Sequence, residues 1–215
     1  MNRSSSKINK INKLQTYELL PLICSSAALR MDELLRIFLI EAKKRNINKI
    51  LIYESLLQNY LFTGYPSALI ALKILKEIYP GDNSAETEDW DLNKYRERGV
   101  KNCKKIYGRK YSKLISNIKS FSPELSNWLV LEGYGKVLGR KNLSLKQREL
   151  NIIAVLAVQK FDEQLYSHIN GAYRQKIETE KIRRVILNLK LLGEDSFSAF
   201  GMKVLKRYLK KKGAN

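Results

Sequence analysis

At 215 residues, with 44% hydrophobic and 28% charged side chains, the chain has the composition of a packed globular protein, which excludes wholesale disorder. No apolar stretch reaches the roughly 18–20 residues that a membrane span needs. The formal net charge of +19 fits a nucleic-acid or anionic-membrane binder, but the cations are spread along the chain, apart from Lys203, Lys206, Arg207, Lys210, Lys211 and Lys212. No zinc-finger, aromatic RNA-binding or helix-turn-helix signature accompanies them, so they read as solvated helix faces, with no specific nucleic acid and no membrane as partner. Two distant cysteines, Cys24 and Cys103, give no disulfide framework and no metal spacing, and they fit a reducing cytoplasm.

Residues 1–14 read as a flexible basic tail. The apolar run Leu19-Leu20-Pro21-Leu22-Ile23-Cys24 is short for a secretion signal and passes through Ala27-Ala28-Leu29 into an amphipathic pattern, so a first helix is expected there. Leu34, Leu35, Phe38, Leu39 and Ala42 form one helical stripe behind Asp32, a candidate N-cap. A first helical unit spans 15–78. From 79 to 141 come a polar connector, Tyr79-Pro80-Gly81-Asp82-Asn83-Ser84, running acidic to Asp91, and then a helical insert. The insert reads as a basic helix from about Leu92 to Tyr107, a turn at Gly108, and helices around Tyr111 to Ile118 and Pro123 to Val130, with Ser122-Pro123 as a start signal. Glu132 to Arg140, with Gly133 and Gly135 flanking Tyr134, reads as a backbone-permissive turn. A second unit, 142–207, opens at Ser144 with Gln147 three residues on, a capping box. It continues through Ile152, Val155, Leu156 and Gln159, with Asp162 and Thr179 as further caps. Residues 208–215 read as a basic tail. Strand signals are nearly absent, and the fold class expected is all-α.

The two units align on a shift of 130, which puts Asp32 on Asp162, Leu35 on Leu165, Ala42 on Ala172 and Ile47 on Ile177. A one-residue slip then gives Leu56 on Val185, Leu57 on Ile186, Gly64 on Gly193 and Leu75 on Val204. The same shift of 130 sets Leu19, Leu34 and Phe38 of the first unit against Glu149, Gln164 and His168 of the second. A lone helical histidine is more often a packing residue than a catalyst. Here, though, three polar residues stand where the sister unit has hydrocarbon, so they are expected to point inward, where polar groups must be paired or used. A carboxylate against an imidazole orients the ring and tunes it for acid–base work near neutral pH.

The block Leu143-Ser144-Leu145-Lys146-Gln147-Arg148-Glu149-Leu150, with Gln164-Leu165-Tyr166-Ser167-His168-Ile169-Asn170-Gly171-Ala172, resembles the core motif of the carboxymuconolactone decarboxylase and AhpD-like alkylhydroperoxidase family. Glu54 to Gln58 and Tyr60 to Leu72 are similar to the segment that follows that motif. The resemblance implies an AhpD-like all-helical fold in two tandem repeats, the first degenerate, and assembly into trimers or hexamers. It also implies Glu149 and His168 as the catalytic pair. The CxxC of the peroxidase branch falls at Phe161 and Gln164, so thiol chemistry is disfavoured. The decarboxylase branch uses no cofactor, and its substrate would be a small carboxylic acid. Arg148 and Arg140 are candidates for the substrate carboxylate or else solvent-facing charges; Gln164, Tyr134 and Glu132 are candidate pocket residues, the last two equally readable as packing and turn solvation. Two other functions stay open: a peroxidase using Cys24 or Cys103, and a non-enzymatic scaffold with a basic surface.

Overall fold

The structure, a computed structural model, describes residues 10–81 and 88–213. Among them there is no strand, and the fold is all-α. The first unit consists of α1 (Thr16–Ala28), α2 (Asp32–Lys44), α3 (Lys49–Gln58) and α4 (Tyr60–Ile78). The insert holds α5 (Leu92–Tyr107), α6 (Tyr111–Phe121), α7 (Pro123–Trp128) and a π-helical segment, Leu129–Val137. The second unit is α8 (Leu145–Val158), α9 (Asp162–Arg174), α10 (Thr179–Asn188) and α11 (Asp195–Gly213). No described helix is long and apolar enough to cross a membrane.

α1 and α8 pack against each other at the centre, and their sequences explain why. Both are apolar around most of their circumference, the pattern of a helix with no solvent face, and Leu19 to Ala27 and Leu150 to Val158 are buried. The buried sets repeat at a shift of 130: Leu35, Phe38, Leu39 and Ala42 in α2 correspond to Leu165, His168, Ile169 and Ala172 in α9. The turns repeat too. Arg30 and Lys160 lie at φ 59° and 60°, and Asn46 and Lys176 at φ 52° and 58°. L-residues adopt that left-handed conformation at a cost of about 1–2 kcal/mol, normally as single residues in turns.

The shift of 130 also holds where a slip is expected. Ile52, Ser55 and Leu56 share their burial with Ile182, Val185 and Ile186, and Ala68, Ala71, Ile74 and Leu75 share theirs with Ser198, Gly201, Val204 and Leu205. Only the glycines are offset, one residue out of step: Gly64 (φ 75°) kinks the backbone inside α4, and Gly193 (φ 99°) breaks it just ahead of α11.

Several boundaries differ from the sequence reading. Ile11 and Leu14, placed in the basic tail, are buried in the core. The last helix runs to Gly213 with Tyr208 buried, so the C-terminal cations extend a helix rather than form a tail. Asp32, Asp162 and Thr179 are first helical residues rather than caps, which puts the two carboxylates at the positive end of the helix dipole. Ser144 caps α8 by accepting from the Gln147 N–H at 3.2 Å, but the Gln147 side chain turns away to Asn151 and completes no capping box. Residues 1–9, 82–87 and 214–215, which include Asp82, Asn83 and Ser84 of the connector, lie outside the described residues.

The largest correction is at Glu132 to Arg140. Gly133 and Gly135 do not make a turn; they lie in the π-helical segment, where the Leu138 N–H donates to the Gly133 carbonyl at 2.8 Å. Close approach explains Gly135 and, on α5, Gly99, whereas Gly133 has room for a Cβ. A Cβ on Gly135 would run into the Tyr95 carbonyl, and one on Gly99 into the Val130 carbonyl, so α5 and the π-helical segment cross backbone to backbone. Asn102 fastens the crossing by donating to the Tyr134 carbonyl at 3.1 Å.

Candidate functional site

Glu149 lies in the second turn of α8 and His168 in the middle of α9, and the hairpin at Lys160 folds the two helices together. Glu149 Oε2 and His168 Nδ1 are 3.1 Å apart, with both residues buried. An ionised carboxylate only accepts, so Nδ1 carries the proton and Nε2 is left as the free ring nitrogen. Among the described residues no hydrogen bond engages Nε2. The imidazole side chain keeps 9% of its surface open, while Glu149 keeps 2%. At the equivalent positions Leu19 and Phe38 are wholly buried, so both units turn these two positions inward.

Two aromatic groups border the pair. Phe62 of α4, from the other unit, meets the imidazole edge-on at 6.3 Å between centroids. Tyr134, buried, points from the π-helical segment to Tyr107 of α5, with their hydroxyls 2.9 Å apart. The Tyr134 and Tyr107 hydroxyls are held well above the usual phenol range, first by burial; the Glu149 carboxylate pushes both the same way. Tyr107 was not singled out from sequence; its spacing to Tyr134 carries no motif.

Raised pKa values make the tyrosine pair a neutral-form site. Its contribution is fully present below the unfolded phenol pKa of about 10 and is lost as pH rises toward the folded value. Alkaline unfolding followed by circular dichroism is therefore expected to shift to higher pH in Tyr107→Phe/Tyr134→Phe, and an unchanged alkaline limit would contradict this.

Gly171 gives the carboxylate its space. A Cβ there would stand 2.9 Å from Glu149 Oε2 and 2.7 Å from Ile106 Cγ2. Gly171→Ala is expected to lower stability by about 1–3 kcal/mol through overpacking, measured by urea denaturation, whereas alanine at an exposed position of α9, for example Glu163→Ala, should change it little.

Other expected site residues lie elsewhere. Gln164 is exposed, at the edge of the buried α9 stripe, and its counterpart Leu34 is only partly buried, so the inward contrast holds at two positions rather than three. Glu132 accepts from the Tyr60 hydroxyl at 2.6 Å, a contact between the insert and the first unit. Arg148 is neither solvent-facing nor open to a substrate. It is 1% exposed, and its guanidinium donates to Glu54 Oε2 at 2.9 Å, Gln58 Oε1 at 3.3 Å, and the Leu143 and Arg140 carbonyls. Arg140 Nε donates to the same Glu54 at 2.8 Å.

Arg148 belongs to a symmetric device that spacing alone did not single out. Glu18, its counterpart, is buried and accepts from Arg184 at 2.9 and 3.0 Å and from Asn188 at 2.9 Å. Arg184 and Asn188 are themselves the counterparts of Glu54 and Gln58 (184 − 130 = 54; 188 − 130 = 58). Each central helix thus reaches into the third helix of the other unit, with charges reversed.

Both cysteines are buried. Burial raises the Cys24 thiol well above its usual range and pushes Cys103 up to about 12; Cys24 also donates to the Ser55 carbonyl at 3.3 Å. Both are thiols rather than thiolates at neutral pH. Among the described residues no three His, Cys, Asp or Glu side chains converge as a metal site would require.

No family model matches the chain. The chain is similar to "Peroxisomal protein 2" of Schizosaccharomyces pombe, 28% identical over 133 residues, which cover 60% of this chain and 62% of that protein. The chain thus matches less than two thirds of that relative's length.

Proposed function

We propose that the protein is a cofactor-independent acid–base enzyme of the carboxymuconolactone decarboxylase-like, AhpD-like class, acting on a small carboxylic acid. The observation that carries this reading is the buried Glu149–His168 pair, 3.1 Å apart, set where the sister unit has Leu19 and Phe38. Glu149 accepts the Nδ1 proton, which fixes the tautomer and leaves the Nε2 lone pair to take a proton and return it. In a decarboxylation, His168 in its protonated form delivers that proton to the carbon that loses carbon dioxide, and Glu149 stabilises the imidazolium. Arg148 and Arg140 are both bound to Glu54, so neither is assigned to the substrate carboxylate.

The thiol forms of Cys24 and Cys103 favour this over a peroxidase. The family resemblance supports a trimer or hexamer, which sedimentation equilibrium measures. The relative's name raises a peroxisomal location beside the cytoplasmic one suggested by the free cysteines, and imaging of a tagged chain separates them.

The test is carbon dioxide release from a panel of small carboxylic acids by the wild-type chain, His168→Gln and His168→Ala. General acid–base catalysis is worth about 10²–10⁴-fold, so both variants should lose at least that much turnover while keeping their helicity. Turnover that survives either substitution rules out His168 as the proton carrier. Hydroperoxide consumption abolished by Cys24→Ser/Cys103→Ser would instead support the thiol reading.

A further inference from the structure

The α6–α7 hairpin displays large apolar side chains that the helical core does not cover. The stripe Tyr111, Leu114, Ile115 and Ile118 of α6 is half-buried, with Tyr111 and Ile115 packed against the core, but the apolar residues beyond it are open. Phe121 at its end is 69% exposed, and on α7 Leu125 and Trp128 are 51% and 55% exposed. The Ser126 hydroxyl donates to the Ile115 carbonyl at 3.2 Å and holds the two helices together, so the apolar residues are displayed by a fixed hairpin.

The charge around this surface is predominantly positive, with Glu124 of α7 the one exposed carboxylate on the hairpin. Every charged residue from Arg98 to Lys119 is a cation, and Lys104, Arg109, Lys110, Lys113 and Lys119 are exposed. Against a second copy of a chain with net charge +19 such a surface repels; against an anionic surface it attracts. Bulky Phe, Leu and Trp side chains projecting beside lysines suit a lipid interface, where rings and aliphatic chains enter the headgroup boundary and cations meet the lipid charge. Nucleic-acid phosphates would account for the cations and leave the aliphatic side chains unused.

We propose that the α6–α7 hairpin is a peripheral docking surface for anionic membranes, with Phe121, Leu125 and Trp128 as the inserted anchors.

The full chain is mixed with vesicles of equal parts phosphatidylserine and phosphatidylcholine, or of phosphatidylcholine alone, and sedimented. Binding is expected only with the anionic vesicles, weakening as salt is raised. Phe121→Ser/Leu125→Ser/Trp128→Ser should lower it at least about tenfold, since the anchors' apolar area drives insertion. Lys110→Glu/Lys113→Glu should also weaken it. All five residues are exposed, and circular dichroism checks that the variants fold. Absent vesicle binding, or binding that the serine variant retains in full, overturns the proposal. Two such negative outcomes have their own meaning: a wild-type oligomer that the serine variant dissociates assigns the face to a second copy, and tight binding of a single-stranded oligonucleotide assigns it to nucleic acid.

Discussion

Glu54→Ala is expected to destabilise the protein by about 3–5 kcal/mol, because it strands a buried guanidinium. Arg148 is 1% exposed and Glu54 fully buried, and Glu54 is the one carboxylate bound to it. Burial pulls the Arg148 pKa down and Glu54 opposes that pull. Without Glu54 the cation keeps only Gln58 and two carbonyls in a low-dielectric site. The mirror-image change, Glu18→Ala, removes a buried carboxylate from Arg184, whose side chain is 47% exposed and can turn to water, so the loss should be smaller. Urea midpoints of the two variants check the order; equal losses would refute the argument from burial. Glu54→Leu/Arg148→Met should recover most of the loss, since well-packed apolar groups replace a buried ion pair at little or no cost.

The opposed polarity of the two pairs bears on how the units recognise each other. In a symmetric dimer of identical units, one residue type would fill both equivalent positions, and a residue that suits one contact suits the other. Here a second unit paired with its own kind would set Arg148 against Arg184, and a first unit paired with its own kind would set Glu18 against Glu54. Both arrangements place like charges in a buried contact. The two ion pairs thus favour the pairing of unlike units and penalise the alternatives, as polar contacts do where they specify register or partner.

The sequence carried the helical architecture because its signals are local. The apolar stripe of α2, the Asp91 side chain that accepts from the Lys94 N–H at the start of α5, and the Ser122-Pro123 start of α7 each follow from neighbours in the chain. Glu149 and His168 were legible for a different reason: the sister unit is an internal control, and Leu19 and Phe38 mark those positions as inward. What escaped was set by tertiary contact. Gly135 signals a turn or a close approach equally well, and only its crossing with α5 decides between them. Gln164 shares a helical face with His168 by spacing, yet sits 40° or so around the helix, past the edge of the buried stripe. The Arg148–Glu54 pair spans 94 residues, but its signal was present: the shift of 130 sets Arg148 on Glu18, Glu54 on Arg184 and Gln58 on Asn188, opposite charges at matched positions.

The same internal control yields the second large expected effect. Glu149→Leu/His168→Phe gives the second unit the residues that its sister already packs without exposure. Each single change should be costly or neutral at best. His168→Phe leaves the Glu149 carboxyl buried without its imidazole partner, which is expected to cost the protein about 3 kcal/mol. Glu149→Leu removes the acceptor that orients the imidazole and leaves Nδ1 unpaired. The double variant removes both polar groups together and is expected to match the parent or exceed it by about 1–4 kcal/mol, as happens when both members of a buried hydrogen-bonded or ionic pair give way to hydrocarbon, while turnover disappears. Thermal and urea unfolding of the four chains close the double-mutant cycle, and a coupling well above additivity is the expected reading. A double variant as unstable as the sum of its singles would mean that Glu149 and His168 hold the fold together, and the polar pair would then be packing in a different form rather than a site maintained at the expense of stability.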